Sequence, residues 1–260
     1  MVNDLISAII LAIIQGVTEW LPISSSGHLV LFQSFLGFEG GLLFEVALHF
    51  GTLAAVFVYF GKDIMDIIKD FFSGKWNTEN GKIGWLLIIA SVPAALIGFF
   101  SRNIYEKVLT NFGIVALGFG VTGLLLFIAS FVSVGKKEKK LSYGNSFVIG
   151  IFQALAIIPG ISRSGATISS GIFFGLSEKA AMRFAFLLSI PIIFGANILV
   201  IGNNVLPQEL IWATLVSFFV GLLTIHIMFK YVLVKRKNFR WFGLYALLLA
   251  LAIGVWMIIK

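Results

Sequence analysis

Two short polar turns interrupt apolar sequence in this chain: Ser24-Ser25-Ser26-Gly27-His28 and Ser162-Arg163-Ser164-Gly165. Each follows a proline, Pro22 or Pro159, and each is preceded at the same offset by a glutamine, Gln15 or Gln153. Arg163 keeps its charge in any protein setting and offers five donors in a planar fork. Ser162 and Ser164 flank it, and Gly160 and Gly165 allow close backbone approach, so the turn makes a cradle for an oxyanion. A half-helix beginning near Ser164 would aim its first amides at the same anion. In the first turn, Ser24, Ser25 and Ser26 present hydroxyls. His28 follows at helical spacing, three residues after Ser25 and four after Ser24. A neutral imidazole there is a candidate general base toward a hydroxyl or a water. Glu19 shares a helix face with Gln15 and is suited to hold a proton, to orient His28 or to help bind a divalent cation. Together these groups suit phosphoryl chemistry.

Each residue also has a plainer use. A serine at such a turn caps the helix that follows, a histidine in an apolar helix more often packs, and Glu19 can simply balance Arg163. Against this, an ionisable side chain at the bilayer centre costs about 2.5–3.5 kcal/mol, which marks Glu19, His28 and Arg163 as functional candidates. Glu45 and His49 form an i, i+4 pair in an apolar span and are taken as a structural or supporting contact. His226 is taken as interfacial. Trp20, Trp85, Trp212, Trp241 and Trp256 suit an aromatic belt.

The elements that carry these turns belong in a membrane. Of 260 residues, 59% are hydrophobic and 12% charged, with a mean hydropathy of +1.01; no soluble domain has this composition. Cysteine is absent, which excludes disulfides and thiolate metal sites. The first residues, Met1-Val2-Asn3-Asp4, lack a basic segment, so no cleaved signal peptide is expected. Apolar stretches at 42–60, 83–100, 108–134, 184–202, 210–229 and 241–259 are long enough to span a bilayer. Regions 5–37 and 144–176 break at their polar turns and are expected to form re-entrant helical hairpins shielded by protein.

Basic residues concentrate in three connections. Lys62, Lys69, Lys75 and Lys82 lie in 61–82, Lys136, Lys137, Lys139 and Lys140 in 135–143, and Lys230, Lys235, Arg236, Lys237 and Arg240 in 230–240. The 203–209 connection has none. Placing the basic connections in the cytoplasm makes all spans alternate. It also accounts for the net charge of +7, so nucleic acid is not an expected partner. The hairpins then enter from opposite faces. The expected fold is an all-α integral membrane protein with an inverted-topology repeat. Residues 1–134 form the first half and 144–260 the second, each a re-entrant hairpin plus three transmembrane helices, within one structural domain. Residues 15–38 and 153–176 align without a gap and share seven of 24 positions. Inverted repeats with broken helices place a site at the repeat interface, so the two polar turns should face each other.

From these residues two classes compete. One is a phosphatase acting on a lipid whose tail stays in the bilayer; the other is a transporter or flippase of an anionic lipid or small anion. Ser25 with His28 suggests a nucleophile with its base, which a transporter does not need.

The motifs Gln15-x-x-x-Glu19, Leu21-Pro22-Ile23-Ser24-Ser25-Ser26-Gly27-His28 and Pro159-Gly160-Ile161-Ser162-Arg163-Ser164-Gly165-Ala166-Thr167 resemble the signatures of the undecaprenyl-diphosphate phosphatases, also called bacitracin-resistance proteins. The resemblance covers essentially the whole chain. One departure is Gln15, where the family often has Glu, and this points to Glu19 as the essential carboxylate. The resemblance implies hydrolysis of undecaprenyl diphosphate to undecaprenyl phosphate and inorganic phosphate. That activity recycles the lipid carrier for peptidoglycan and confers bacitracin resistance. It implies a multi-pass protein of the bacterial plasma membrane, with a site opening to the extracytoplasmic side. Carried over by motif, Glu19, Ser25, His28 and Arg163 are the catalytic candidates. Gln15, Ser24, Ser26, Gly27, Ser162, Ser164, Gly165 and Thr167 would bind the substrate. A divalent cation, Mg²⁺ or Ca²⁺, is expected by analogy, with Glu19 its candidate ligand and no organic cofactor. The expected partners are a polyprenyl diphosphate and the membrane lipids, and a homodimer stays open. Acid-phosphatase-type lipid phosphatases share an element like Ser26-Gly27-His28 but need a second histidine shortly after the arginine. The next one after Arg163 is His226, too far along the chain.

Overall fold

The computed structural model describes residues 2–109, 111–133, 139–201, 208–232 and 235–259. Its helices are α1 (Val2–Thr18), α2 (Ser25–Leu36), α3 (Gly41–Tyr59), α4 (Gly61–Phe72), α5 (Glu79–Leu109), α6 (Phe112–Phe131), α7 (Tyr143–Leu155), α8 (Arg163–Phe173), α9 (Glu178–Ile201), α10 (Gln208–Ile227) and α11 (Phe239–Ile259). No strand occurs among the described residues. Six helical stretches are long and apolar enough to cross a membrane: Gly41–Tyr59, Glu79–Phe100, Phe112–Phe131, Glu178–Leu199, Leu210–Val232 and Arg236–Ile259. The chain is therefore an all-α multi-pass membrane protein. Leu117, Phe219 and Leu251 are exposed on three of these helices, as contact with lipid requires.

The six spans fall where the apolar stretches lie, with shifted ends. The third begins at Phe112 rather than 108, because the Asn111 side chain caps it, accepting from the amides of Gly113 (3.0 Å) and Ile114 (3.2 Å). Residues 101–107, expected as a connection, continue α5 instead. The fourth begins at Glu178 rather than 184. Ser177 caps it by accepting from the Ala180 amide at 3.3 Å, and ion pairs take up its charges: Arg183 with Asp63 at 2.7 Å, and Glu178 with Arg236 at 2.9 Å. Residues 203–207 of the expected 203–209 connection, residue 202 at the end of the expected fourth span, and Lys136 and Lys137 lie outside the described residues.

One helix lies inside a stretch the charge pattern marks as a loop. In α4, Ile64 and Ile67 are buried and Met65, Ile68 and Phe72 are exposed, while Lys62, Asp63, Asp66, Lys69 and Asp70 occupy the other side. Its 12 residues are too few to span. An apolar arc shared between protein and lipid, with a charged opposite face, fits a helix lying along the membrane surface.

Each polar turn joins two packed helices, α1 and α2 at the first, α7 and α8 at the second. The Ser24 hydroxyl caps α2 by accepting from the Gly27 amide (3.3 Å), and the Ser162 hydroxyl caps α8 by accepting from the Gly165 amide (3.0 Å). At the far ends the amides of Phe38 and Gly37 bond to the carbonyls of Gln33 and Ser34, and those of Leu176 and Gly175 to Gly171 and Ile172. This helix-ending pattern recurs at the offset that relates the two turns. Across the bundle, α1 packs on α10 while α7 packs on α5.

The second turn is seated against α6. Thr122, buried in α6, donates to the Gly160 carbonyl (2.9 Å) and accepts from the Ser162 amide (2.8 Å). Only glycine fits the contact. Gly160 has φ +90, and a Cβ there would lie 2.2 Å from the Val115 carbonyl oxygen; one on Gly118 would lie 2.3 Å from that of Pro159. Behind the turns Trp20, Phe60, Phe186 and Phe229 form an aromatic cluster, with Trp20 and Phe186 at 4.8 Å. Trp20 is thus core, 1% exposed, and not part of an aromatic belt; Trp212, Trp241 and Trp256 are exposed as a belt requires.

Candidate active site

The two polar turns meet. Gly27 lies against Gly160, where a Cβ on Gly27 would come within 3.0 Å of the Gly160 Cα. The Ser164 hydroxyl donates to the Leu21 carbonyl at 3.1 Å. Between the turns sits Glu19, one residue past the end of α1, 5% exposed. Arg163 Nη2 from the second hairpin donates to its Oε1. The Ser25 hydroxyl, at the first residue of α2, donates to its Oε2. Gln15 Nε2, one turn earlier on α1, donates to the same oxygen at 3.0 Å. His49 Nε2 on α3 lies 3.4 Å from it. Three donors and the edge of the His49 ring therefore converge on one buried carboxylate. Burying a charge costs several kcal/mol per ion unless it is paired and fully hydrogen-bonded, and this convergence meets that condition.

The hairpin imposes the geometry. Ser24 has φ +69, the one positive φ outside glycine among the described residues, a conformation costing roughly 1 kcal/mol. It turns the chain sharply enough that Ser25 begins α2 facing back toward Glu19. Such strain collects at functional sites.

The other candidates separate by what holds them. Ser24 and Ser26 hydroxyls lie 3.3 Å apart, and Ser162 and Ser164 hydroxyls 3.2 Å apart; one of each pair caps its helix. The Gly165 Cα packs by the Pro22 carbonyl, with room for no more than a tight Cβ at 3.2 Å. Thr167 donates to the Arg163 carbonyl at 2.7 Å, so its hydroxyl is spent within α8. His28 is buried but is not bonded to a serine hydroxyl or to Glu19. Its Nδ1 lies 2.7 Å from the Ser24 carbonyl and its Nε2 2.7 Å from the Tyr245 hydroxyl on α11.

Two residues of this site were not legible as such. His49, paired with Glu45 by spacing, hydrogen-bonds to the backbone carbonyl of Glu45 through Nδ1 at 2.7 Å; its other nitrogen crosses to Glu19. The Glu45 carboxylate instead accepts from Gln33 Nε2 at 3.3 Å. Tyr245 lies in an apolar span and carried no signal.

The expected cation fits poorly. Both oxygens of Glu19 already accept from protein donors, and no group of three or more acidic, histidine or cysteine side chains gathers to hold a metal among the described residues. Gln15 Oε1, on the side chain that donates to Glu19, is buried without a partner. A protein-held Mg²⁺ or Ca²⁺ needs more oxygen ligands than this.

The sequence profile of the bacitracin resistance protein BacA matches residues 8–252. The chain belongs to the BacA family. Proteins named undecaprenyl-diphosphatase from Caldicellulosiruptor bescii and Corynebacterium glutamicum are 40% and 36% identical to it, covering 97% and 96% of this chain and 97% and 92% of their own lengths. One of the same name from Saccharophagus degradans is 42% identical over 88% of this chain and 90% of its own. In this BacA-family chain the facing polar turns and the carboxylate between them are the concentrated chemistry, and the match runs through both.

Proposed function

We propose that this protein hydrolyses undecaprenyl diphosphate to undecaprenyl phosphate and inorganic phosphate, as its relatives' names say of them. The observation that carries the proposal is Glu19, bonded at once to the Ser25 hydroxyl and to the Arg163 guanidinium of the opposite hairpin. A hydroxyl donating to a buried carboxylate is a nucleophile with its base. Around it the starts of α2 and α8 leave the amides of Ser25, Ser26, Arg163 and Ser164 without intrahelical partners, and two helix N-termini favour a phosphate between them.

In the proposed reaction the Ser25 oxygen attacks the terminal phosphorus and its proton passes to Glu19. The bond from that phosphorus to the bridging oxygen breaks, and undecaprenyl phosphate leaves with the electron pair. Water then attacks the phosphoserine, releasing phosphate and returning a hydroxyl to Ser25. Arg163 exchanges Glu19 for the phosphate oxygens as the headgroup enters, which leaves Glu19 free to take the serine proton. His28 acts from the edge of the site, and Gln15 steadies Glu19. The names of the relatives do not favour the transporter alternative.

The proposal extends to topology. The halves 1–134 and 144–260 are taken as an inverted repeat, supported by the caps and helix ends that recur at one offset and by the exchanged packing of α1 on α10 and α7 on α5. The site is assigned to the extracytoplasmic side of the plasma membrane, where it would recycle the lipid carrier for wall synthesis and give resistance to bacitracin. The test is phosphate release from a polyprenyl diphosphate by purified protein in detergent. No release above a detergent blank would refute the assignment.

A further inference from the structure

His28 is held at both ring nitrogens, and the chemistry of its two partners decides which nitrogen carries the proton. Nδ1 lies 2.7 Å from the Ser24 carbonyl. A carbonyl only accepts, so Nδ1 carries a hydrogen. In the neutral ring Nε2 is then the bare nitrogen, and it lies 2.7 Å from the Tyr245 hydroxyl, which must donate. Tyr245 comes from α11, 217 residues along the chain. Its ring lies nearly parallel to the imidazole, 8° between planes and 5.8 Å between centroids, while Phe119 of α6 meets the imidazole edge-on at 5.2 Å. The groups that hold His28 are thus a carbonyl, a phenol and a phenyl ring. Glu19, Arg163 and His49 share their contacts with one another and not with it. The imidazole is buried, yet Tyr245 is 44% exposed, so the phenol stands between the basic nitrogen and the outside of the bundle.

We propose that Tyr245 is a positioning residue of the phosphatase site. Its hydroxyl sets His28 with Nδ1 protonated and Nε2 basic, and it occupies that nitrogen until the substrate or its attacking water takes its place. The α2 and α11 helices meet at this contact, and the headgroup exchanges for the phenol there. The backbone at Ser24 fixes one nitrogen through the same strained residue that aims Ser25 at Glu19. The orientation of the imidazole and of the nucleophile therefore share one turn, and Tyr245 sets what that turn leaves free. This inference rests on the phosphatase proposal above.

The test is Tyr245→Phe, which keeps the ring stack and removes one oxygen. In phosphate-release assays kcat should fall about tenfold, roughly 1.4 kcal/mol, because the imidazole is no longer held in its basic orientation before the headgroup arrives, with KM within about twofold and the pH–rate profile displaced. An unchanged kcat and pH profile overturns the proposal, as does a variant whose only change is a lower unfolding temperature. A second measurement is independent of turnover. In ¹⁵N-histidine spectra of the full protein in detergent, with His28→Asn assigning the resonances, His28 should show a protonated Nδ1 and a bare, hydrogen-bonded Nε2. In Tyr245→Phe the Nε2 resonance should move downfield. An Nε2-protonated ring in the parent, or identical spectra in the two proteins, overturns it. If the parent releases no phosphate, the phosphatase proposal fails while the spectra still decide what Tyr245 does to His28.

Discussion

Glu19 and Arg163, 144 residues apart in sequence, form an ion pair that closes the first hairpin on the second. The Glu19 side chain is 3% exposed and that of Arg163 17%. The arginine is therefore the partner able to move toward an incoming anion, and the carboxylate is the fixed one.

Removing the cation alone leaves a buried carboxylate with weaker compensation from Ser25, Gln15 and His49. Arg163→Ala should cost about 3–5 kcal/mol, the usual penalty for breaking a buried pair on one side, and should abolish phosphate release. Adding Glu19→Gln to Arg163→Ala should restore most of the unfolding temperature in detergent, since no charge is then stranded, yet restore no turnover. Near-parental turnover by Arg163→Ala would remove it from the site.

Neighbouring serines of the first turn should separate cleanly. Ser25→Ala removes the hydroxyl bonded to Glu19 and leaves the cap intact, so the protein should fold and lose at least about a thousandfold in rate, as loss of a nucleophile does. Ser24→Ala removes the cap, costing about 1 kcal/mol, and keeps the positive φ that alanine tolerates poorly. Ser24→Asn both caps and accepts that conformation, so its unfolding temperature should equal the parent's or exceed it. Thermal unfolding with parallel rate assays on the three variants checks this. Substantial turnover by Ser25→Ala would point to water as the attacking group.

How much of this was legible follows from the physics of each signal. The six spans were, because twenty apolar residues in a row have few other uses. The hairpin breaks were, because a proline followed by clustered serines and an ionisable residue interrupts an apolar run far more than the lone Pro93 and Pro191 inside α5 and α9 do. Glu19, Ser25 and Arg163 stood out because charge and hydroxyls in lipid are costly. The α4 helix did not, since its lysines and aspartates dominate a 12-residue segment that reads as a loop unless the Ile64, Ile67 and Ile68 spacing is weighed. The contact of His49 with Glu19 was not legible, because i, i+4 spacing shows which residues share a helix face but not which neighbouring helix that face meets. Tyr245 and Trp20 are single aromatics in apolar runs. One turns inward to a histidine and the other into the core, and only the packing of distant helices decides that.

His49 brings an imidazole nitrogen from α3 beside Glu19. Its Nδ1 faces the Glu45 carbonyl, which fixes the ring, and Nε2 faces the carboxylate at 3.4 Å. His49→Leu removes that contact and should lower kcat about tenfold, roughly 1.4 kcal/mol. His49→Gln can return an amide donor to the same oxygen and should recover most of the rate. Equal rates in parent and His49→Leu would show that the histidine only fills space.

Two glycines on one helix, two residues apart, test whether the seat of the Arg163 turn matters. A Cβ on Gly118 would lie 2.3 Å from the Pro159 carbonyl oxygen, whereas one on Gly120 meets nothing within 4 Å. Both substitutions raise helix propensity by about 1 kcal/mol, so any difference between them belongs to the contact. Gly120→Ala should keep the parental rate and unfold at the same temperature or slightly higher. Gly118→Ala must push the Pro159–Gly160 backbone away from α6, stretching the paired bonds from Thr122 to Gly160 and Ser162. Arg163 follows Ser162 directly, so its guanidinium shifts with that backbone. A displacement of an ångström or so in a positioning element can cost about a hundredfold in rate. Gly118→Ala should therefore lose activity well beyond its loss of stability, and equal behaviour of the two alanine variants would show that the turn holds its place without the α6 contact.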